Sequence, residues 1–435
     1  MANHFISVAE LPEGGEMLAS HKISNLRNFC FFTALSGLLI SASIFLFDLF
    51  RLKEPFAYSW LFSLAFFFTI GCGALFWVML HHATNSGWGI SVRRLFEQVS
   101  NLLPYIALLA LPLLLPSVRN ALYEWMSEHD NATSDAGGNV SAYEALHHSH
   151  VPDHHLLAEK YTYLNKSFWF LRFGSYLIIL SSIAYFLLNI SLKQEKDGAL
   201  KHTFFSRGVC CCLFPIFAVC LTFAAIDWFK GLDYTWYSTM FGVYIFAGSA
   251  LNSMALIVIL LTILRKLGYM QKVTTVEHYH LMGKLMHAFV IFWAYVSFSQ
   301  FFLMWYANIT EETRFFLARN TEGWNYLSIF IVAFHFFVPF LLLLPDTVKK
   351  NPLKISLISV LILIMHVVDM YWLIIPERGP SLGTGIVFPG AWVLDVLAFI
   401  TMLSFLTWLL LGRLTKISLY PWRDPRLQES INVLN

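Results

Sequence analysis

Two ionisable residues, His366 and Asp369, interrupt the apolar segment IMHVVDMYWLIIP that runs from Ile364 to Pro376. Their spacing of three residues puts both side chains on one face of a helix. Histidine is suited to proton transfer, because its usual pKa of about 6.5 allows both charge states near neutral pH and its two ring nitrogens can accept and donate. The aspartate could orient the ring or stabilise its charged form, so the pair predicts a proton-transfer site.

Three further ionisable residues lie in the two preceding apolar segments, Lys284 and His287 in one and His335 in the other. A charged group at membrane depth costs roughly 2.5 to 3.5 kcal/mol on insertion scales, which makes each of them a functional candidate. Because the segments cross the membrane alternately, these residues are expected at successive depths, from Lys284 at the inner end to Asp369 in the outer half. They predict a graded proton path. The alternative is that each group only makes a hydrogen bond between helices.

Two polar clusters lie where such a path would meet water. Asp227 and Asp233 flank a Lys-Gly turn between the fifth and sixth apolar segments, and we expect them at an outer mouth or on a docking surface. Glu277, His278 and His280 come just before the seventh segment, and we expect them at an inner entrance.

The elements that position these residues follow from composition. The chain has 435 residues, of which 57% are hydrophobic and 13% charged, and this predicts an all-α polytopic membrane protein rather than a soluble domain. About ten helices are expected, a number that permits two four-helix bundles plus two peripheral helices without requiring them. The apolar runs begin near Asn28, Tyr58, Val99, Ser167, Gly208, Ser238, Lys284, Trp324, Leu353 and Gly390.

The distribution of Lys and Arg predicts the orientation. If the N-terminus is cytoplasmic, the inner segments hold about two thirds of the basic residues, as the positive-inside rule requires. Both termini are therefore expected in the cytoplasm. The chain then divides into an N-terminal segment (1–27), helices one to three (28–116), a periplasmic His-rich loop (117–166), helices four to ten (167–412) and a cytoplasmic tail (413–435).

No cofactor of its own is expected from the sequence. The adjacent residues Cys210, Cys211 and Cys212 point in different directions on a helix and cannot converge on one metal ion, and no C-x-x-C-H or ferredoxin-like spacing is present. A cluster of histidines in the loop from 117 to 166 is either a metal site or a solvated polar segment, because it lacks a fixed ligand spacing. A net charge of +2 without basic tracts gives no sign of nucleic-acid binding. The cluster comprises His147, His148, His150, His154 and His155.

Three motifs carry a family resemblance. They are the pattern D-W-…-L-D-…-W-Y-S-T-M-F-G-V-Y from Asp227, the run HYHLMGKLMHAFVIFWAYVSFSQFFLMWYANITEET from His278, and MHVVDMYWLIIP from Met365. They closely resemble the F subunits of bacterial alternative complex III, a quinol:electron acceptor oxidoreductase, and these subunits are similar to the NrfD/polysulfide-reductase membrane family. The resemblance covers most of the chain from Asp227 to about Pro376.

The resemblance implies a multi-pass subunit of the bacterial inner membrane with two four-helix bundles. It also implies partners: an NrfD-like C subunit that holds the quinol, an iron–sulfur subunit, and c-type cytochromes that carry haem c. The leading hypothesis is a non-catalytic subunit with a proton path coupled to quinol oxidation in its partners. Two alternatives stay open, a quinol-binding site within this chain and, from another class, an independent secondary transporter.

Overall fold

The computed structural model describes residues 7–48, 52–135, 141, 146, 152–321, 323–378 and 391–433. Within these ranges the regular elements are helical, and ten helices are long and apolar enough to cross a membrane. The chain is therefore an all-α, multi-pass membrane protein. The spanning helices are α1 (Ser20–Phe47), α2 (Lys53–Ala83), α3 (Ile90–Leu114), α4 (Lys166–Asp197), α5 (Leu200–Leu232), α6 (Phe241–Lys266), α7 (Val276–Ala307), α8 (Trp324–Leu343), α9 (Pro352–Arg378) and α10 (Trp392–Leu414).

These helices form two four-helix bundles and a peripheral pair. Helices α2 to α5 pack in one bundle, α6 to α9 pack in the second, and α1 packs with α10 against α2. The most apolar stretch of α2 is buried throughout, since this helix contacts both bundles and the peripheral pair. This is the arrangement of two four-helix bundles and two peripheral helices that the predicted helix count permits.

Two glycines allow helix backbones to approach closely. A Cβ atom at Gly73 of α2 would overlap the carbonyl of Ser249 on α6, so the two bundles meet there backbone to backbone. A Cβ atom at Gly37 of α1 would overlap the side chain of Thr401 on α10. Small residues at such crossings are how membrane helices associate closely.

The predicted start of the seventh helix at Lys284 is wrong. Helix α7 begins at Val276, where a capping box between Thr275 and His278 satisfies free backbone donors. Glu277, His278 and His280 therefore lie in the first turns of α7 rather than before it. The hydropathy pattern marks only the lipid-crossing part of a helix, and polar residues extend the helix beyond that part.

The third helix is interrupted, as its prolines predict. Regular helix runs over Ile90–Ser100 and again over Leu103–Ala110, and a 3₁₀ turn follows over Leu111–Leu114. Pro104 and Pro112 each lie at the start of one of the later pieces, where the missing N–H group is tolerated. The helix begins at Ile90, well before the predicted start at Val99.

The loop from 117 to 166 is partly helical and packed. Its described part includes helices over Glu124–Asp135 and Pro152–Glu159, and Trp125 and Leu157 are buried. His155 is exposed beside Glu159. No group of three or more metal-binding side chains occurs among the residues that the structure describes. The side chains of His147, His148, His150 and His154 lie outside those residues, so the predicted metal site stays a prediction.

The two ends of the described chain meet on one side of the helices. The amide of Leu18 donates to the Leu414 carbonyl (3.0 Å), and the amide of Leu419 donates to the Glu16 carbonyl (2.8 Å). We call this the terminal side and the other the opposite side. The helices α1, α3, α5, α7 and α9 begin on the terminal side.

Candidate functional site

His366 and Asp369 both face the protein interior from α9, with exposed fractions of 0% and 1%. They do not hydrogen-bond to each other. The Tyr244 hydroxyl of α6 donates to Asp369 Oδ1, whereas His366 Nε2 lies 2.8 Å from Thr69 Oγ1 of α2. The threonine, not the aspartate, therefore orients the histidine ring.

The Thr69 hydroxyl identifies which ring nitrogen of His366 carries the proton. Thr69 Oγ1 donates to the Phe66 carbonyl at 2.8 Å, and a hydroxyl has only one proton to donate. His366 Nε2 must therefore donate to Thr69. In the neutral ring Nδ1 is then an acceptor, and this buried atom has no hydrogen-bond partner among the described residues. His366 thus presents one nitrogen that can accept a proton.

Asp369 has no basic partner in the part of the chain that the structure describes. Its Oδ2 atom is buried without a hydrogen-bond partner, and no lysine or arginine of the described chain forms an ion pair with it. A carboxylate deep in a membrane protein that is not neutralised by a basic side chain is costly when charged. Asp369 therefore has the environment of a group that can take up and release a proton.

His335 lies at a distortion of α8. Residues Val332–Phe337 form a π-helical turn, and Pro339 lies four residues after His335. A proline removes the amide that would bond the His335 carbonyl and its ring crowds that carbonyl, so the helix widens there. The His335 ring stacks on Trp293 of α7 with centroids 4.0 Å apart, and neither ring nitrogen has a partner in the described structure.

The next two predicted residues on α7 differ in environment. His287 is half-buried and packs against the Phe340 ring of α8, with centroids 5.1 Å apart and the ring planes tilted by 36°. Lys284 is exposed on the helix surface. Of these two residues only His287 faces a neighbouring helix, and the expected role of Lys284 in the path stays a prediction.

The histidines are not joined into a continuous hydrogen-bonded chain. No hydrogen bond links His287 to His335, or His335 to His366, within the part of the chain that the structure describes. Proton transfer between these levels requires a water molecule or a side-chain movement at each step.

A charged cluster covers the terminal side of this bundle. Glu277 bonds Lys350 at 2.9 Å, and His280 lies 3.3 Å from both Glu277 and Asp346. Lys349 bonds Asp346 at 2.9 Å. Glu277 and His280 thus come together as predicted for an entrance.

His278 is separate from that cluster. Its Nδ1 accepts from the Thr275 amide at 3.0 Å in the helix cap, and its Nε2 lies 3.5 Å from Ser430 Oγ of the C-terminal segment. The ring is fully buried. His278 therefore serves the helix cap and the packing of the C-terminal segment.

Asp227 lies in the first bundle, apart from Asp369. Arg172 of α4 donates to it through two nitrogens, at 2.7 and 2.9 Å, and the Tyr176 hydroxyl donates at 2.8 Å. Asp227 thus accepts three hydrogen bonds, two of them from a full positive charge. This acid is part of a buried ion pair, not of the second bundle's site.

Asp233 organises the loop between α5 and α6. Its Oδ1 accepts from the Thr235 amide at 2.9 Å and from the Trp236 amide at 3.3 Å. This is an Asx-type turn, in which the side chain replaces a backbone acceptor. Asp227 and Asp233 thus have different hydrogen-bond partners, and the outer mouth or docking surface expected at these residues stays a prediction.

A cavity of about 570 Å³ reaches Asp369 from the lipid-facing surface between α7 and α8. Phe298 and Ile329, exposed by 64% and 66%, lie at its opening. Its walls are mainly aromatic, and Trp236, held by the Asp233 turn, stacks on Phe315 at 4.0 Å in the lining. The lining residues with polar side-chain groups include Tyr244, Trp293, Ser297, Gln300, Asn320, Ser328 and Asp369.

Several residues of the site carry weak sequence signals. Thr69, Tyr244 and Trp293 resemble the hydroxyl and aromatic residues found throughout membrane helices, and only tertiary contact distinguishes them. Arg319 has a stronger sequence signal, because it is a basic residue near a helix end. It is fully buried and donates to the Trp372 and Leu373 carbonyls near the C-terminal end of α9.

Comparison with protein-family models finds no match to this chain, and comparison with curated proteins finds no match either. The motifs of the sequence and the geometry of the second bundle are therefore the observations that bear on function.

Proposed function

We propose that this chain is an integral membrane subunit of a quinol:electron acceptor oxidoreductase of the alternative complex III type. In this proposal it supplies a transmembrane proton path, while an NrfD-like C subunit binds quinol and an iron–sulfur subunit and c-type cytochromes carry the electrons. The motif resemblance supports the assignment to such a complex. The bacterial inner membrane is the corresponding location.

The observation that carries the proton-path proposal is the environment of Asp369. This carboxyl group is buried within the second bundle, and among the described residues one of its oxygens has no hydrogen-bond partner and no basic side chain forms an ion pair with it. His366, His335 and His287 lie on the neighbouring turns and helices, and the Glu277–His280 cluster covers the terminal side. Groups able to exchange protons thus occur at several levels of one bundle.

These residues are expected to transfer protons only, and no bond to carbon is formed or broken. Asp369 Oδ2 can accept a proton, and Tyr244 keeps the other oxygen hydrogen-bonded. His366 can accept at Nδ1 while Nε2 remains bonded to Thr69. The gaps between these groups are bridged by water or by side-chain rotation, and quinol oxidation in the partner subunits supplies the driving force.

Replacement of Asp369 by asparagine tests this role. The amide keeps the size and a hydrogen-bonding oxygen but cannot carry a proton, so the assembled complex should oxidise quinol with fewer protons translocated per electron. If the two processes are tightly coupled, turnover should instead fall by about 10² to 10⁴, the usual contribution of a proton-transfer group. Proton uptake in vesicles and quinol turnover would be measured on the same preparation.

The matched comparison is Asp227→Asn, which changes a buried aspartate of the first bundle. It should lower the stability of the chain while the proton yield per electron of the surviving complex remains normal. An Asp369→Asn complex with unchanged turnover and proton yield would contradict the proposed path.

A second function, binding of quinol by this chain itself, is favoured by the cavity. A volume of about 570 Å³, aromatic walls and a carboxyl group at the inner end suit an apolar ring whose hydroxyl needs a proton acceptor. Ala294→Trp would fill the cavity beside Trp293 without changing an ionisable group. Loss of quinol binding in this variant would favour the pocket, and normal binding would favour the proton path.

The orientation implied by the charge distribution can be tested at Ser134. This residue is exposed at the end of the Glu124–Asp135 helix, on the opposite side from the chain ends. A cysteine at this position should react with a membrane-impermeant reagent applied to the periplasmic face. Reaction only after the inner membrane is permeabilised would reverse the orientation.

A further inference from the structure

A network of charged side chains is buried on the terminal side of the first bundle, in the bundle that does not contain the proposed path. Arg93 and Arg94 of α3 contact Glu97 of the same helix at 3.2 and 3.1 Å. Arg93 also bonds Asp424 of the C-terminal segment at 2.8 Å, and Arg94 bonds Glu195 of α4 at 2.7 Å. The network therefore joins α3, α4 and the C-terminal segment.

The charges of this network do not balance. Two arginines carry two positive charges and three carboxylates carry three negative ones, so the fully ionised network has one excess negative charge. The exposed fractions of the five side chains range from 0% to 13%, so water screens this charge poorly. A buried charge without a counter-charge is strongly unfavourable.

Neighbouring arginines have other partners. Arg426 pairs with Glu429 at 2.6 Å, and Arg423 donates to a backbone carbonyl of α4 at 2.6 Å. Arg413 of α10 donates to Gln98 at 2.9 Å, and within the described ranges no ion pair joins it to the network. The missing positive charge is therefore not supplied by these residues.

The charged groups at the junction of α4 and α5 lie at the water-exposed surface. Asp197 contacts Lys201 at 3.5 Å and His202 at 2.9 Å. Lys193 and Lys196 are exposed. Water screens the charges of such groups, so they compensate a buried charge only weakly.

Three uncharged titratable groups also face Arg93. His81 and His82 of α2 and Cys210 of α5 are buried and lie close enough to be affected by its charge. A proton on either ring would place a positive charge near a guanidinium group. A proton on a carboxylate removes the excess negative charge directly, so a carboxylate is the favoured carrier.

The arrangement suits a proton rather than a metal ion. An arginine lies between Glu97 and each of the other two carboxylates, so the three acids do not converge on one point. The described part of the chain contains no group of three or more side chains that could hold a metal ion. A proton needs only one oxygen atom and still cancels the excess charge.

Glu195 is the carboxylate best placed to exchange that proton with water. Glu97 contacts both arginines, whereas Glu195 and Asp424 each contact one. The exposed fraction of Glu195 is 13%, against 2% for Asp424 and 1% for Glu97. Arg94 bonds Glu195 through Nη2, and its Nη1 is buried without an acceptor among the described residues. This guanidinium group can therefore also bind a water molecule that delivers the proton.

We propose that this network binds one exchangeable proton near neutral pH, carried by the Glu195 carboxyl group. The proton comes from water on the terminal side and returns to it, and only an O–H bond forms and breaks. The site does not depend on the path proposed for the second bundle.

Infrared difference spectroscopy of the full chain in membranes tests this proposal as the pH is raised. A protonated carboxyl group has a C=O stretching band that a carboxylate lacks. Every sample carries Asp369→Asn, which removes the ionisable carboxyl group of the second bundle and makes the result independent of the proposed path. One carboxylic-acid band should disappear as the pH rises, and Glu195→Gln should lack that band.

Asp424→Asn tests the charge count itself. It leaves two arginines and two carboxylates, so Glu195 should stay ionised and its band should be absent, although Glu195 is unchanged. The matched control is Asp346→Asn, at an acid that is 66% exposed and ion-paired outside the network. This control should keep the band.

Unfolding provides a measurement that needs no change in the network. In the Asp369→Asn background, the denaturant midpoint should fall as the pH rises through the disappearance of the band, because loss of the proton restores an unpaired buried charge. Glu195→Gln should remove this fall.

Three results would overturn the proposal. A titrating band that survives Glu195→Gln would assign the proton to another group. A Glu195 band that persists in Asp424→Asn would show that the charge imbalance is not its cause. A background sample with no titrating band and no fall in the midpoint would show that the network stays fully ionised.

Discussion

Asp227 and Asp369 are buried aspartates in different four-helix bundles, and each accepts a hydrogen bond from a tyrosine, Tyr176 or Tyr244. They differ in what else lies beside them. Asp227 accepts two further bonds from Arg172, whereas Asp369 lines a cavity and has no ion-pair partner within the described ranges.

The difference shows how a buried aspartate can stabilise the fold in one bundle and be suited to take up and release a proton in the other. Protonating Asp227 would leave the Arg172 charge buried and unpaired, which is strongly unfavourable. Protonating Asp369 leaves no positive charge unpaired, and it removes a buried negative charge that is costly in free energy. Burial alone therefore does not identify a proton-transfer group, and the absence of a counter-charge among the described residues is the more informative feature.

The largest loss of stability that tests this comparison is expected from Arg172→Leu. It leaves Asp227 as a buried charge without its partner, a change that typically destabilises a protein by about 3 to 5 kcal/mol. Chemical unfolding of the purified chain in detergent measures the loss. The double variant Arg172→Leu/Asp227→Leu should recover most of it, and a double variant as unstable as the single one would show that the ion pair is not the cause.

A smaller loss is expected from Thr69→Val, which affects the contact between the first bundle and His366. Valine keeps the shape of threonine, but His366 Nε2 is left buried without an acceptor, at a cost of about 1 to 3 kcal/mol. Ser63→Ala is the matched control, because the hydrogen bond that Ser63 Oγ makes in the described structure is to the Ser59 carbonyl of its own helix. Equal unfolding free energies for the two variants would contradict the assigned role of Thr69.

The smallest effect is expected for Asp346, an ion-paired acid at the water-exposed surface. Hydrogen bonds from Lys349 and His280 hold the pKa of Asp346 below its usual value. Its stabilisation is therefore present above the unfolded pKa of about 3.9 and is lost as the pH falls through the lower folded value. The stability difference between wild type and Asp346→Asn should be small at pH 7 and should vanish in acid. A difference that grows on acidification would show the opposite sign of coupling.

The number and type of helices could be predicted because the hydrocarbon core demands apolar runs of a fixed minimum length. The interior positions of His335, His366 and Asp369 could be predicted for the same reason, since lipid excludes unpaired charge. The spacing of His366 and Asp369 also correctly predicted a shared interior face.

The partners of these residues could not be predicted, because pairing depends on contacts between distant segments. Asp227 and Asp369 have similar sequence surroundings, and only the packing of α4 against α5 brings Arg172 to one of them. The exposed position of Lys284 likewise depends on where α7 begins and how it rotates. The distortion at His335 did have a local signal in Pro339, four residues later.

The crossing at Gly73 has a mechanical consequence for how this molecule can move. Since the backbones of α2 and α6 touch at Ser249, no flexible side chains lie between the two bundles at that point to absorb sliding. Rocking of one bundle against the other, the motion by which many transporters expose a site alternately to each side of the membrane, would have to pull this crossing apart. The proposed proton path needs no such rocking, because it requires only reorientation of side chains and water.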